Sequence, residues 1–148
     1  MDTEPDHDVE GGERPLGDAP LYLLRQALRT YTARWQDIVR ELTPPQYVSL
    51  RVLRASPDLD QAALAEATRI DTATLTPLLA RLEERGYVVR RVDPGNRRRK
   101  LLRITEDGAG VLRRVAPLVA ETEDTVLGEL SAEQRTAFTD VLRMIAHA

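Results

Sequence analysis

Apolar residues recur every three or four positions between residues 21 and 42, at positions 21, 24, 28, 31, 35, 38 and 42. This spacing predicts an amphipathic α-helix over residues 21–42, with polar residues on its other faces. A stripe of this kind can pack on the core of its own subunit, or it can form a seam with a helix of a second subunit. The pattern by itself favours neither alternative.

A capping signal predicts where the second helix begins. Thr43 can accept a hydrogen bond from the first turn, Pro44 suits the first helical position, and Gln46 completes a T-x-x-Q capping box. Apolar residues continue beyond this point as far as Ser56, which precedes a proline. We therefore expect a helix that begins after Thr43 and ends near Ser56.

Two shorter helices joined by a tight turn are predicted next. Asp60 caps the first helix, Asp71 caps the second, and Gly86 ends the second. The residues expected to face the core are Ala63, Leu64 and Ala67 in the first helix and Leu75, Leu78, Leu79 and Leu82 in the second. The residues expected to face outward on the second helix are Thr72, Ala73, Thr76, Pro77, Ala80 and Arg81. This face is small and mostly uncharged, as a helix that enters a DNA groove requires, and Pro77 is expected to bend the helix.

A β-hairpin that carries a concentrated positive charge is predicted over residues 87–104. Valines lead into a turn at residues 93–96 that is rich in Pro, Gly and Asn, and apolar residues lead back from it. Between residues 85 and 103 there are eight cations and one anion, a net charge of +7 in a chain whose total is −3. A charge run is usually a solvated surface. A charged hairpin beside two helices of this kind, however, is typical of a DNA-binding wing.

Two more helices are predicted after the hairpin. Thr105 starts the longer one, which Pro117 is expected to kink, and Ser131 and Gln134 form a second capping box. With the first helix, this is more helix than one winged unit can bury, so we expect a second subunit. The sequence thus predicts a mainly α-helical fold with a small β-hairpin wing.

Composition narrows the class of protein. Residues 1–20 contain seven acids and one arginine, which predicts a disordered acidic arm without the features of a signal peptide. No apolar run approaches the roughly 20 residues that cross a membrane. The chain has no cysteine, so it has neither disulfides nor thiolate metal sites, which fits a cytoplasmic protein.

Five segments, in order, resemble the MarR family of bacterial transcription regulators: TPPQ, DQAALAEA, IDTATLTPLLARLEERGYV, DPGNRRR and LRITEDG. The resemblance extends over essentially all of residues 21–148. It implies a winged helix-turn-helix with a DNA-binding lobe at about residues 43–105 and dimerisation helices at 21–42 and 106–148. It also implies a homodimer, with a pocket for a phenolic or aromatic acid where the two parts meet.

The chain departs from the family pattern at three positions. Asn96 stands where an aspartate usually precedes the paired arginines, so the carboxylate that would orient a wing arginine is absent there. Arg69 occupies a turn position where glycine is common, and Pro77 stands where many members have arginine. The change at Pro77 removes a possible contact with a base or a phosphate.

The residues expected to contact DNA lie on the second short helix and on the wing. Arg98 is expected in the minor groove, where A·T-rich stretches concentrate negative potential, whereas Arg97, Arg99 and Lys100 meet phosphates or solvent. The expected contacts on the helix are Thr72, Thr74, Thr76 and Arg81. Two-fold symmetry predicts a palindromic operator with half-sites about one helical turn apart. The function expected is that of a repressor that a small ligand releases from DNA.

The ligand is expected to be an anionic aromatic. The stretch LTPPQ…LDQAALAEA resembles family members that control aromatic-acid catabolism, in which an arginine of the first helix pairs with the ligand carboxylate. Arg25 is the nearest match, and Tyr31, Trp35 and Tyr47 are expected to line the pocket. An alternative remains, in which Arg25 is a surface residue or pairs with an acid across the dimer.

Other classes of function find less support. The two histidines, His7 and His147, lie near the ends of the chain, and there is no phosphate-binding loop, so no catalytic site or metal site can be assembled and no cofactor is expected. A winged-helix module that binds another protein, without a small-molecule effector, is the alternative function. Such a protein-binding module would not require a helix face of small residues, able to enter a DNA groove, beside the charged hairpin.

Overall fold

The computed structural model describes residues 15–148 and shows a mostly helical chain with one two-stranded antiparallel hairpin. The elements are α1 Pro20–Ile38, α2 Pro44–Ala55, α3 Gln61–Thr68, α4 Thr72–Glu84, β1 Val88–Asp93, β2 Asn96–Ile104, α5 Glu106–Leu127 and α6 Ala132–Ala146. The predicted fold class is confirmed. Residues 1–14 of the predicted acidic arm lie outside the described residues, and a short 3₁₀ turn, Leu16–Asp18, precedes α1.

The predicted caps position the helices. Thr43 and Gln46 form both bonds of a capping box at α2, and Ser131 and Gln134 do the same at α6. Thr105 accepts a bond from the first turn of α5. The helices α4 and α5 each continue past the prolines at which the sequence predicts bends, Pro77 and Pro117.

One core joins the helices to the hairpin. Its fully buried members come from α2, α3, α4, both strands and α5, and the largest are Leu50, Leu53, Leu64, Leu75, Leu79, Leu82, Leu102 and Leu112. The leucine stripe predicted for α4 is therefore confirmed, whereas Ala67 of α3, expected to face the core, is exposed. Because α4 and β1 share this core, the helix and the hairpin form one rigid surface.

The first helix ends four residues earlier than predicted. It stops at Ile38, and residues 39–43 form a connection in which Val39 and Leu42 are buried. Trp35 is also buried, and its Nε1 donates a 2.6 Å hydrogen bond to the carbonyl oxygen of Leu42. Leu42 continued the helical apolar spacing, but it reaches the core from the connection rather than from the helix.

The outer helices leave long apolar stripes uncovered. In α6 none of the residues is buried, and Phe138, Val141 and Ile145 are exposed on one face. In α1, Leu24 and Leu28 are exposed as well. Among residues 15–148, no helix combines the length and the hydropathy needed to cross a membrane.

Candidate DNA-binding surface and adjoining cavity

Helices α3 and α4 form a two-helix unit with capped ends and a tight turn. Asp60 accepts a hydrogen bond from the backbone N–H of Ala63, and Asp71 accepts one from the N–H of Thr74, both at 2.8 Å. Between the helices, Arg69 adopts a left-handed conformation with φ of 54°. A non-glycine residue thus takes the turn position where family members commonly have glycine.

The outward face of α4 is the one predicted from the sequence. Its six residues, Thr72, Ala73, Thr76, Pro77, Ala80 and Arg81, are all exposed. Thr74 is exposed too, and its hydroxyl donates a 2.7 Å hydrogen bond to Asp71. This bond and those from backbone N–H groups hold the pKa of Asp71 below its ordinary value, so the cap stays charged at neutral pH.

The structure divides the eight cations of residues 85–103 into two groups. Four are held by the chain itself: Arg85, Arg90, Arg99 and Arg103. None of the ion pairs formed within residues 15–148 includes the other four, which are Arg91, Arg97, Arg98 and Lys100. All four are exposed. A positive surface of this kind, beside a helix face whose one charged residue is Arg81, suits a polyanion.

Arg99 has a different place from the one expected. It was assigned to phosphates or solvent, but its Nε lies 2.8 Å from Asp60 and its Nη1 lies 3.5 Å from Asp93. The bond from Ala63 and then the one from Arg99 lower the pKa of Asp60. Asp60 therefore caps α3 and also joins the wing to that helix. A carboxylate does orient a wing arginine, but it is supplied by Asp60 rather than by the residue at position 96, which is an asparagine.

Asn96 retains a smaller role at the tip of the wing. Its side-chain oxygen accepts a 3.1 Å hydrogen bond from the backbone N–H of Arg98. At the base of the wing, Arg103 binds Asp58 through two nitrogens, and these bonds lower the pKa of Asp58. Arg99 and Arg103 thus tie the hairpin to Asp60 and Asp58, while the guanidinium of Arg98 stays exposed.

A cavity of about 650 Å³ lies between α1, the 39–43 connection and the end of α4. Tyr31 and Trp35, two of the residues expected in the ligand pocket, line this cavity together with Leu28, Gln36 and Pro44. The Tyr47 ring contacts that of Trp35, with centroids 5.4 Å apart, but it does not line the cavity. Burial, and then Glu123 and Tyr47, raise the pKa of Tyr31, so its phenol is a neutral hydrogen-bond donor at physiological pH.

Arg25 is not part of this cavity. It lies in a neighbouring groove along α1, which shares Leu28, Thr32 and Gln36 with the cavity. The cations that do line the cavity are Arg40 and Arg85. Sequence reasoning missed both, because one follows α1 and the other follows α4, and only packing brings them together.

Arg85 connects the cavity to α4. It follows the last residue of that helix, its Nη1 donates a 2.6 Å hydrogen bond to the carbonyl oxygen of Glu41, and it lies over the Tyr87 ring. The carboxylate of Glu41 pairs with Arg114 of α5 at 2.7 Å, and this bond lowers the pKa of Glu41. Through Glu41, the wall of the cavity is therefore bonded to Arg85 at the end of α4 and to Arg114 of α5.

The comparisons with known proteins agree with this architecture. The model of the MarR family matches residues 42–100. The transcriptional regulator HosA of Escherichia coli O111:H- is 36% identical over 133 residues, which are 90% of this chain and 98% of HosA. The chain belongs to the MarR family. Like HosA, this MarR-family protein is a transcription regulator.

Two solved structures are similar to this MarR-family chain over nearly its whole length. One is BpsR of Bordetella bronchiseptica, whose DNA binding is regulated by 6-hydroxynicotinic acid: TM-score 0.87, 28% identity, 93% of this chain and 99% of BpsR covered. The other is the repressor CouR bound to a 23-mer DNA duplex: TM-score 0.83, 30% identity, 91% of this chain and 99% of CouR covered. The resemblance found in the sequence is thus confirmed, and these relatives are regulators rather than enzymes.

Proposed function

We propose that this MarR-family regulator is a homodimeric repressor that acts in the cytoplasm, binds a palindromic operator and is released by a small aromatic carboxylate or phenol. The DNA-binding part of the proposal rests on one observation. Within the described residues, four exposed wing cations without an ion-pair partner lie beside a helix face of small residues whose one charged residue is Arg81. The DNA complex of CouR supports the same function.

The exposed positions of these residues support the following roles. The exposed face of α4, with Thr72, Thr74, Thr76 and Arg81, enters the major groove, where Arg81 meets a phosphate or a guanine. The guanidinium of Arg98 enters the minor groove, while Arg97 and Lys100 meet phosphates. Arg99 orients the wing through Asp60 instead of binding DNA.

Removing the guanidinium of Arg98 should weaken operator binding. For Arg98→Ala we expect a loss of about 1–3 kcal/mol, the range for one good contact, and a shallower dependence of the affinity on salt. Fluorescence anisotropy against operator DNA measures both. Arg113→Ala of α5 removes the same charge and should bind as the unaltered protein does. Unchanged affinity of Arg98→Ala would contradict the wing assignment, and failure to bind any duplex at low salt would favour the protein-binding alternative.

The dimer accounts for the uncovered stripes of α1 and α6. Leu28 and Val141 each expose more than half of their surface, at 60% and 51%. Monomeric soluble proteins rarely leave contiguous apolar surfaces of this kind in water. With two-fold symmetry, each wing and each α4 meets one half-site, about one helical turn from the other.

The cavity suits a small aromatic acid. Its wall combines the rings of Tyr31 and Trp35 with the cations Arg40 and Arg85, and an aromatic carboxylate needs both kinds of contact. Arg25 lines the adjoining groove, which shares Leu28, Thr32 and Gln36 with the cavity, and it remains our proposed anchor for the carboxylate. The regulation of BpsR by 6-hydroxynicotinic acid supports this class of ligand.

A ligand in the cavity can act on the DNA-binding surface because Arg85, which lines the cavity, directly follows the last residue of α4. Such a ligand must favour a separation of the two α4 helices that does not fit the operator, since equal affinity for both arrangements would shift nothing. The bond between Arg85 and Glu41 and the pair between Glu41 and Arg114 are the contacts that such a change would alter.

Calorimetry with hydroxybenzoates and cinnamates tests the ligand and its anchor. We expect at least one of them to bind, and Arg25→Ala to weaken binding by about 1.5–3 kcal/mol, the worth of a charged hydrogen bond. Arg34→Ala of α1, whose residue lines neither the cavity nor the groove, is the matched control. Binding that survives Arg25→Ala unchanged would remove Arg25 from the site. Binding of no aromatic acid would contradict the ligand class.

A further inference from the structure

The hydroxyl of Thr76, on the exposed face of α4, is bonded to its own chain on two sides. It donates a 2.9 Å hydrogen bond to the carbonyl oxygen of Thr72, one turn earlier in the helix. It also accepts a 2.7 Å hydrogen bond from the side-chain amide of Gln61, the first residue of α3. Although Thr76 is exposed, its only polar donor is already used.

The direction of these bonds follows from Arg90. Its Nη1 lies 3.3 Å from the side-chain oxygen of Gln61, and a guanidinium can only donate. The amide oxygen of Gln61 must therefore face Arg90, and the amide NH₂ must face Thr76. The Thr76 hydroxyl then has to accept from Gln61, so its own proton goes to Thr72.

Arg90 is itself fixed, which closes the arrangement into a ring. Its Nε donates a 2.9 Å hydrogen bond to Glu83, a residue of α4 that lies seven positions after Thr76 on the same side of the helix. The side chains of Arg90 and Glu83 are each 29% exposed, so the pair is largely shielded from water. The ring runs from α4 through β1 and α3 back to α4, and it holds the Thr76 side chain in one orientation.

We propose that Thr76 reads the 5-methyl group of a thymine through its own methyl group, and that Gln61 is the positioning residue that commits it to this contact. The inference rests on the proposed DNA-binding role of α4. With its proton donated to Thr72 and one lone pair used by Gln61, the Thr76 hydroxyl cannot donate to a base edge. Its methyl group is held in a fixed orientation, and the thymine methyl is the apolar feature of the major groove that such a group contacts. The Thr74 hydroxyl also donates its proton, to Asp71, but no side chain within residues 15–148 donates a hydrogen bond to it as Gln61 does to Thr76.

The experiment replaces thymine by deoxyuridine, which removes only the 5-methyl group. An operator is first selected from random duplexes with the unaltered protein, and each thymine is then replaced singly in both half-sites. Affinities are measured by fluorescence anisotropy. Burial of one methyl group corresponds to about a fourfold change in affinity. We expect one thymine position in each half-site at which the replacement lowers affinity about fourfold per contact.

Two variants of Thr76 and one control distinguish the contribution of the methyl group from that of the hydroxyl. Thr76→Ser keeps the hydroxyl and its bonds but lacks the methyl, so it should bind thymine and deoxyuridine equally at that position. Thr76→Val keeps the methyl and should retain the fourfold preference. Thr125→Ser of α5, whose hydroxyl makes the same one-turn bond to Glu121, is the control and should leave the preference unchanged.

Gln61→Ala tests the positioning role, since alanine preserves the helix while freeing the Thr76 hydroxyl. We expect the ratio of the affinities for the thymine and deoxyuridine operators to fall towards one. The melting temperature should stay close to that of the unaltered protein. A preference that persists in Thr76→Ser, or no methyl-sensitive thymine at all, overturns the inference while DNA binding stands. A preference that persists in Gln61→Ala overturns the role of Gln61. Failure of the unaltered protein to bind any duplex overturns both this inference and the proposed function.

Discussion

Val141→Asp in the apolar stripe of α6 should convert a dimer into monomers and abolish tight operator binding. Val141 lies at the centre of the stripe formed with Phe138 and Ile145, and all three are exposed in the single subunit. A dimer interface would bury the new carboxylate without a partner, at a cost that association cannot offset. A monomer engages one half-site at a time, so we expect affinity for the operator to fall about 100- to 10,000-fold.

Light scattering combined with anisotropy checks this expectation. The unaltered protein should have twice the chain mass of 16.6 kDa. Its melting temperature should also rise with protein concentration, because only folded subunits associate and association stabilises the folded state. Thr136→Asp introduces the same charge on the opposite face of α6 and should remain a dimer that binds DNA. A stable folded monomer of the unaltered protein at micromolar concentration would contradict the dimer.

Alanine should have opposite effects on stability at two glycines of α5 that lie two residues apart. At Gly108, a Cβ would overlap the carbonyl oxygen of Tyr87 and lie 2.8 Å from Cγ1 of Ile104. The first contact is with backbone and cannot move aside easily, so Gly108→Ala should lower the free energy of unfolding by about 1–3 kcal/mol. At Gly110 the nearest atoms are the ends of arginine side chains, 3.7 Å or more away. Gly110→Ala should therefore raise the free energy by about 0.5–1 kcal/mol.

Urea unfolding at a fixed protein concentration measures both changes. Equal effects at the two glycines would mean that the close approach of α5 to Tyr87 does not hold in solution. Two hydrogen bonds of Thr105 hold the start of α5 close to Tyr87, which leaves no room for a Cβ at Gly108. The Thr105 hydroxyl bonds to the Gly86 carbonyl, and its N–H bonds to the Tyr87 carbonyl, so the start of α5 lies directly against the base of the hairpin.

Much of the fold could be predicted because its signals are local. The capping boxes at Thr43 and Ser131 each involve residues three positions apart, and such bonds form in any helix that begins there. The leucine stripe of α4 follows from helical periodicity, which is also a short-range property. The charged hairpin and the small outward face of α4 were predicted for the same reason, and together they were sufficient to indicate a DNA-binding regulator.

Long-range packing decided how those residues are used. Three of the eight cations near the wing, Arg85, Arg99 and Arg103, are held by acids or carbonyl groups far away in sequence, such as Asp60, which lies 39 residues before its partner Arg99. No periodic pattern encodes such a pair, because it depends on how α3 and the hairpin dock. Docking also buried Trp35, placed Arg85 rather than Arg25 at the cavity, and joined Gln61 to Thr76. The sequence by itself determined the elements and the chemistry of their surfaces, since both arise within a few residues. The tertiary structure alone decided which side chains remain free to bind, because that depends on which distant partners the fold brings within reach.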